Sequence, residues 1–503
     1  VAGIVGVSVG LSAVLARASM PSGTARGEPR SLEPGLGRVG HDAGTAAPAE
    51  HARPADALPD RVTSIVIGGG PAPDGNEVEI EDSVRLAHEL LGDESVVLFA
   101  GGPDTRSVQV RDTEVSGDPL LATLADLFQP RNGRDARYRP TTLPTVHGPA
   151  QHEVLVQHLG RALESPETAP LNLVLIGHGS GGETPLDSLY LYWGGGALEA
   201  ITLSDLLDQP SVRPVRVIAT SCYGGGLAEI AFAGADPSRG PRETDRCGLF
   251  ATAWDLEAAG CDADPERGSR DGYALHFFEA LRGHDRDGAD LPEIDLDRDG
   301  VITLLEAHTR ARIASRSIDV PTTTSTRLLR GIAPTEGPSV PVSLPEEEAV
   351  IAALEAVLDE NGPSAVESRA TDVESSIAES VYEMETLEEE SDRLWTALTG
   401  ALLSRWPVLD DPFHPLFAHT LEDDGLAIEA FLEASPARDA LEQVTAQIGA
   451  LGARVEGLEL ELSLIRRYLE AQETLELARH LRAAGGPAFA RYERMRACEN
   501  SPP

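Results

Sequence analysis

Between residues 62 and 281 one pattern recurs: a short apolar, β-branched run stops at glycine, and a stretch with helical periodicity comes next. Val62–Ile67 runs into Gly68-Gly69-Gly70, and Ser95–Ala100 into Gly101-Gly102. Leu171–Ile176 closes on Gly177, and Val215–Ala219 is a further run of the same kind. Ser83–Leu91 has helical spacing through Val84, Leu86, Ala87, Leu90 and Leu91, and Glu153–Leu163 and Gly272–Leu281 also read as helices. Strands that are apolar on both faces cannot lie against water. Alternating with helices, they predict an α/β fold: a mainly parallel sheet with helices on both faces. In such sheets ligands and chemistry gather at the carboxyl ends of the strands.

The chain has 503 residues, enough for two or three domains. It carries 82 acidic against 41 basic residues, a formal charge of −41. A surface that negative repels phosphate backbones and anionic lipid, so nucleic acid is not an expected partner. Four cysteines are too few for a disulfide scaffold, so a core must supply the stability. In an exported chain Cys247 and Cys261 are the natural pair, leaving Cys222 free and Cys498 incidental. Val1–Ala18 is apolar, small and uncharged until Arg17, as in the hydrophobic core of a signal peptide or an anchor, with Ala16–Ala18 as a cleavage site. Residues 1–19 are therefore expected to direct the protein out of the cytoplasm, secreted or anchored. The Pro-, Gly- and Ala-rich stretch 20–60 reads as a tether.

A domain is expected over 61–330, a Pro-rich linker over 331–345, a helical domain over 346–490 and a tail over 491–503. Leu441, Val444, Ile448, Leu451, Val455, Leu458, Leu462, Ile465 and Leu469 are spaced alternately three and four apart, a heptad seam. Ile377, Val381, Met384, Trp395, Leu398 and Leu402 outline a second face, with Pro407, Pro412 and Pro415 between. This predicts a coiled-coil hairpin or small bundle that serves self-association, docking or inhibition.

Two strand exits carry reactive groups. Ile176-Gly177-His178-Gly179-Ser180-Gly181-Gly182 follows one apolar run, and Ala219-Thr220-Ser221-Cys222-Tyr223-Gly224-Gly225-Gly226 follows another. Glycine there lets a substrate backbone approach closely. An imidazole near a thiol can hold it as thiolate and later protonate a leaving amine. The N–H groups of Gly179 and Cys222 could stabilise an oxyanion.

An apolar strand ending in His-Gly, then a second ending in Cys-x-Gly, resembles the caspase–legumain–metacaspase group of cysteine peptidases, most closely the legumain-like branch. The likeness spans Val62 to Arg330. It implies a caspase-like three-layer α/β/α sandwich and a catalytic set of His178, Cys222 and Gly179. Legumains carry Glu two residues before the cysteine and immediately after it, where this chain has Thr220 and Tyr223; metacaspases have Asp at the former position. Glu79 falls near the place of a substrate-binding Arg, so Glu79, Thr220 and Tyr223 are the expected substrate-binding residues. A carboxylate at Glu79 would favour a basic residue before the scissile bond. The polar stretch Ala233–Arg246, with Arg239, Arg242 and Arg246, would suit self-processing.

Asp295-Leu296-Asp297-Arg298-Asp299-Gly300-Val301-Ile302-Thr303-Leu304-Leu305-Glu306 fits an EF-hand calcium loop. Asp295, Asp297, Asp299 and Glu306 would ligate through carboxylates, Val301 through its carbonyl, and Thr303 through its hydroxyl or a water. Calcium is the expected cofactor, and no organic one is implied.

The expectation is thus a cysteine endopeptidase acting on proteins or peptides. The alternatives are an inactive scaffold on the same fold, acting through its helices, and a transpeptidase. A serine hydrolase is disfavoured, because neither Ser180 nor Ser221 sits in a Gly-x-Ser-x-Gly turn.

Overall fold

The computed structural model describes residues 57–111, 118–128, 136–209, 211, 213–243, 245–264, 271–291, 294–360 and 362–503. The Val1–Ala18 segment and all of the tether except 57–60 lie outside the described residues. No helix among the described residues is long and apolar enough to cross a membrane.

In chain order the strands are β1 (Ser64–Gly69), β2 (Ser95–Phe99), β3 (Arg106–Arg111), β4 (Ala136–Pro140), β5 (Leu171–Gly177), β6 (Gly179–Ser180), β7 (Leu189–Leu191), β8 (Ala197–Glu199), β9 (Val215–Ala219), β10 (Arg246–Phe250) and β11 (Thr322–Thr323). The central sheet runs β11-β10-β9-β5-β1-β2. Its five longer strands are parallel, and only β11 runs against its neighbour.

Every residue of β1, β2, β5, β9 and β10 is buried, which is why the first four read as largely apolar runs; β10, which opens on Arg246, did not. Alternate residues feed two cores. Ile65, Ile67, Leu173, Leu175 and Val217 pack with Leu155 and Leu159 of the helix His152–Glu164 and Leu203 of Ala200–Leu207. Val66, Val174, Ile176, Ile218 and Leu249 face the other way, onto Val84 of Val78–Leu91, Phe277 of Tyr273–Arg282 and Ala307 of Leu304–Ala314. The chain is therefore α/β with helices on both faces of a mostly parallel sheet. Two small antiparallel sheets were not foreseen: the β3–β4 ribbon and the β6–β7–β8 meander.

The C-terminal region is helical, as the heptad seam predicts. The long helices Pro363–Arg405 and Pro436–Ala484 form an antiparallel hairpin: Val366 and Val373 pack near Leu462 and Ile465, and Leu398 and Leu402 near Leu441. The helix Phe417–Glu433 fills the tip. Residues 333–344 form no regular element, and Val340 N–H donates to the Arg479 carbonyl, tying them to the long helix.

This region is bound tightly to the sheet. Arg467 of the long helix is fully buried, and its guanidinium donates to the carbonyls of Asp319 (2.6 Å), Ser317 (2.7 Å), Ser315 (2.9 Å) and Arg312 (3.3 Å). Burying a charge is costly unless it is well hydrogen-bonded, and four carbonyls meet this one. The last helix, Gly486–Glu499, lies against β10.

The cysteine pairing differs from expectation. Cys247 on β10 is bonded to Cys498, not to Cys261, and Cys222 and Cys261 are free. Cys247 is wholly buried under the terminal helix, whereas Cys261 is exposed on a loop. Cys498 is consequently a structural residue, and the expected boundary at 490 falls inside a helix. The described residues of the Ala233–Arg246 stretch are partly tied into the fold. Arg246 is buried on β10 and bonded to Asp208, Arg242 also pairs with Asp208, and of the three arginines Arg239 alone is exposed.

Candidate active site

The strand order reverses between β1 and β5, since the chain leaves β1 toward β2 and returns on the other side. That switch opens a crevice at the carboxyl ends. At its floor β5 ends on Gly177, at φ +150°, where a Cβ would stand 2.4 Å from the Gly69 carbonyl oxygen of β1. Only glycine fits there.

His178 leaves this turn and meets a residue the sequence did not single out. Its Nε2 is 3.0 Å from Glu77 Oε2. Glu77 follows the Pro73–Gly75 turn and precedes the helix Val78–Leu91. The turn is fixed by buried Asn76, whose Oδ1 accepts from Gly70 N–H (3.0 Å) and whose Nδ2 donates to the Ser107 carbonyl (3.1 Å). Burial alone would lower the His178 imidazole. The hydrogen bond and charge of Glu77, with the Gly75 carbonyl, outweigh it and raise the group above its ordinary range.

Because the folded value stands above the unfolded one, the pair adds stability that is complete below the ordinary histidine value. That stability is lost as pH rises through the folded value. In Glu77→Gln the His178 NMR titration is expected to move down and this pH dependence of unfolding to flatten; a His178 titration equal to wild type contradicts the pairing.

Cys222 follows β9, whose Thr220 N–H donates to the Leu175 carbonyl (2.9 Å) and is itself buried. Its thiol donates to the Ala258 carbonyl (3.5 Å) and accepts from Ala258 N–H (3.3 Å). Burial pushes the thiol up to about 11; the Ala258 hydrogen bond works against this, and the charges of Glu257 and Asp319 add to it. The next residue, Tyr223, has a left-handed backbone (φ +58°) uncommon outside glycine, and its hydroxyl donates to Glu257 (3.2 Å).

The two strand exits interlock. A Cβ on Gly179 would lie 2.0 Å from the Cys222 carbonyl oxygen, and one on Gly181 would lie 2.4 Å from the Tyr223 ring. Gly179 sits on the edge strand of the meander opposite Tyr190. Leu191 N–H bonds the His178 carbonyl, so by the antiparallel alternation Gly179 makes no ladder bond to β7 and turns its N–H outward. His178, Gly179 and Cys222 are therefore brought to one place. No hydrogen bond joins the imidazole to the thiol: His178 is held by Glu77 and Cys222 by Ala258.

Glu79 lies on the first turn of the helix Val78–Leu91. It is buried, and its carboxylate accepts from Asp262 N–H (3.2 Å), pinning the loop that carries Ala258 and Cys261. Thr220 is buried in the sheet, and Tyr223 is half-buried between Gly181 and Glu257.

Of the expected calcium ligands, Asp295, Asp297 and Asp299 converge, their oxygens within 4.8 Å of one another. Glu306 does not turn toward a bidentate position. It is buried and accepts from Leu296 N–H (2.7 Å), Thr303 N–H (2.9 Å) and the Thr303 hydroxyl (3.0 Å), capping the helix Leu304–Ala314. Thr303 also donates to Asn500 Oδ1 (2.8 Å), and Val301 is exposed. No protein-family model matches the chain, and no curated protein matches it.

Proposed function

We propose that the chain is a cysteine endopeptidase with a caspase-like catalytic domain of the legumain-like kind. The observation that carries this reading is the close approach of Gly179 to the Cys222 carbonyl, which sets a His-Gly and a cysteine side by side at the carboxyl ends of adjacent strands. In the reaction neutral His178 takes the Cys222 thiol proton as the sulfur attacks the peptide carbonyl, a C–S bond forms, and the carbonyl electron pair moves to oxygen. The N–H groups of Gly179 and Cys222 stabilise that oxyanion. His178, its charged form favoured by Glu77, then gives that proton to the leaving amine as the C–N bond breaks. It then takes a proton from water, which hydrolyses the thioester and frees Cys222. Substrate must draw the thiol from Ala258, so the structure corresponds to a resting state of such an enzyme.

The neutral, Ala258-bound thiol also favours the second reading, an inactive scaffold acting through its helices. Hydrolysis of a fluorogenic peptide library separates the two. Cleavage by wild type that is absent in Cys222→Ala, with preference for a basic residue before the scissile bond, supports the peptidase. No cleavage by either favours the scaffold. Export is part of the proposal, supported by the buried Cys247–Cys498 bond, since such bonds persist in oxidising compartments.

Calcium belongs to the proposal as a structural ion held by Asp295, Asp297 and Asp299. These hard carboxylate oxygens suit the metal, and its positive charge would offset their mutual repulsion. The loop meets the chain's end, with Leu304 N–H on the Ser501 carbonyl (3.0 Å). Calcium at about one hundred times its Kd is expected to stabilise the fold by about 2.7 kcal/mol, and Asp297→Ala to lose that gain. Identical melting in calcium and in chelator contradicts it.

A further inference from the structure

Asp319 takes no part in the chemistry above, yet it is wholly buried next to it. Its Oδ1 accepts from Ala259 N–H (2.8 Å), and its Oδ2 from Tyr273 N–H (2.7 Å) and the Ser317 hydroxyl (2.6 Å). Its own carbonyl receives the Arg467 guanidinium. A carboxylate with three donors, on a backbone held by a buried arginine, has no freedom to swing. One residue before Ala259 stands Ala258, which bonds the Cys222 sulfur through both its N–H and its carbonyl. The peptide under the thiol is thus tied through one side chain to the helix Tyr273–Arg282 and the long C-terminal helix.

We propose that Asp319 is a positioning residue for the nucleophile: it locks the Ala258–Ala259 peptide on which the Cys222 thiol rests. The catalytic part of this inference rests on the peptidase reading; the effect on the thiol does not. Other charges bear on the same sulfur. Glu257, bonded to Tyr223, acts with Asp319 against the thiolate, and Glu459 of the long helix faces Glu257 in turn. Glu77 is engaged by His178, and Arg467 tempers Asp319. Cys261 is the neighbouring thiol on the same loop.

The test is alkylation of the full chain by iodoacetamide across pH, with peptide mass mapping to separate Cys222 from Cys261. Asp319→Asn keeps the shape and removes the charge. Its Cys222 profile is expected to shift to lower pH, with alkylation at pH 8 about threefold faster or more. Glu346→Gln, which neutralises a buried carboxylate paired with Arg496, should leave the profile unchanged. A folded Asp319→Asn with the wild-type profile overturns the proposal, as does an equal shift in Glu346→Gln. If Asp319→Asn does not fold, Ser317→Ala removes one donor from the carboxylate. It should quicken amide exchange at Ala259, and no change there overturns the proposal. Alkylation needs no substrate, so an absence of peptide cleavage would sink the peptidase reading and leave this result standing. For a chain that does cleave, Asp319→Asn should also move the acid limb of kcat/KM to lower pH, which a merely structural role would not do.

Discussion

Gly179→Ala is expected to lower turnover by about 10²–10³-fold while the chain still folds. The added methyl would stand 2.0 Å from the Cys222 carbonyl oxygen and 3.0 Å from that of Leu189, and both are backbone atoms that cannot rotate away. Either the His178 turn or the Cys222 turn must retreat. Retreat pulls the outward Gly179 N–H from the place where the proposed reaction would form its oxyanion, and it parts the His178 turn from the Cys222 turn. The sheet beneath is packed through other residues, so unfolding should change far less than kcat. Circular dichroism and peptide hydrolysis measured on one preparation check this. A Gly179→Ala enzyme with wild-type turnover would mean that the two turns do not act together.

Cys498→Ser is expected to cost about 2–5 kcal/mol of stability. The bond closes a loop with a sequence separation of 251, so it removes much of the freedom of the unfolded chain. It also fastens the terminal helix to β10, beside the strand that delivers Cys222. Around it Glu499 is buried among Thr324 and Ser325 and pushed up to about 7 by burial, and Arg216 reaches the Pro502 carbonyl. Loss of the covalent tie should therefore loosen the whole terminal segment. Urea unfolding of wild type and Cys498→Ser under oxidising conditions measures the difference, and equal midpoints contradict the account. Under reductant the two curves should converge.

What the sequence disclosed, and what it hid, follows from how each feature is written in the chain. Buried parallel strands leave contiguous apolar runs, so β1, β2, β5 and β9 were visible, the first, second and third of them together with the glycines that follow. The heptad seam is periodic and local, and its Val444, Val455, Leu462 and Ile465 are buried as expected. Glu77 was invisible because its partner is a hundred residues away and the pair forms only where β1 and β5 lie side by side. Arg467 lies two residues after Ile465 of the seam, and only the carbonyls of 312–319, far off in the sequence, make it a core residue. Cys498 was misread for the same reason, since nothing local marks a terminal helix that returns to the sheet. Glu306 fits its loop position by spacing, yet the capping of the next helix claims its oxygens.

The central claim is that Cys222 is a nucleophile served by His178, and one measurement tests it most directly. The full chain, its Cys222→Ala variant and its His178→Ala variant are treated with peptide acyloxymethyl ketones bearing Arg, Lys, Asn or Asp before the warhead, and the adducts are mapped by mass spectrometry. The account predicts an adduct at Cys222 in wild type, fastest with Arg or Lys. It predicts none at that position in Cys222→Ala and a much slower one in His178→Ala. Folded wild type left unlabelled at Cys222 by all four probes, or labelled equally fast without His178, would contradict it.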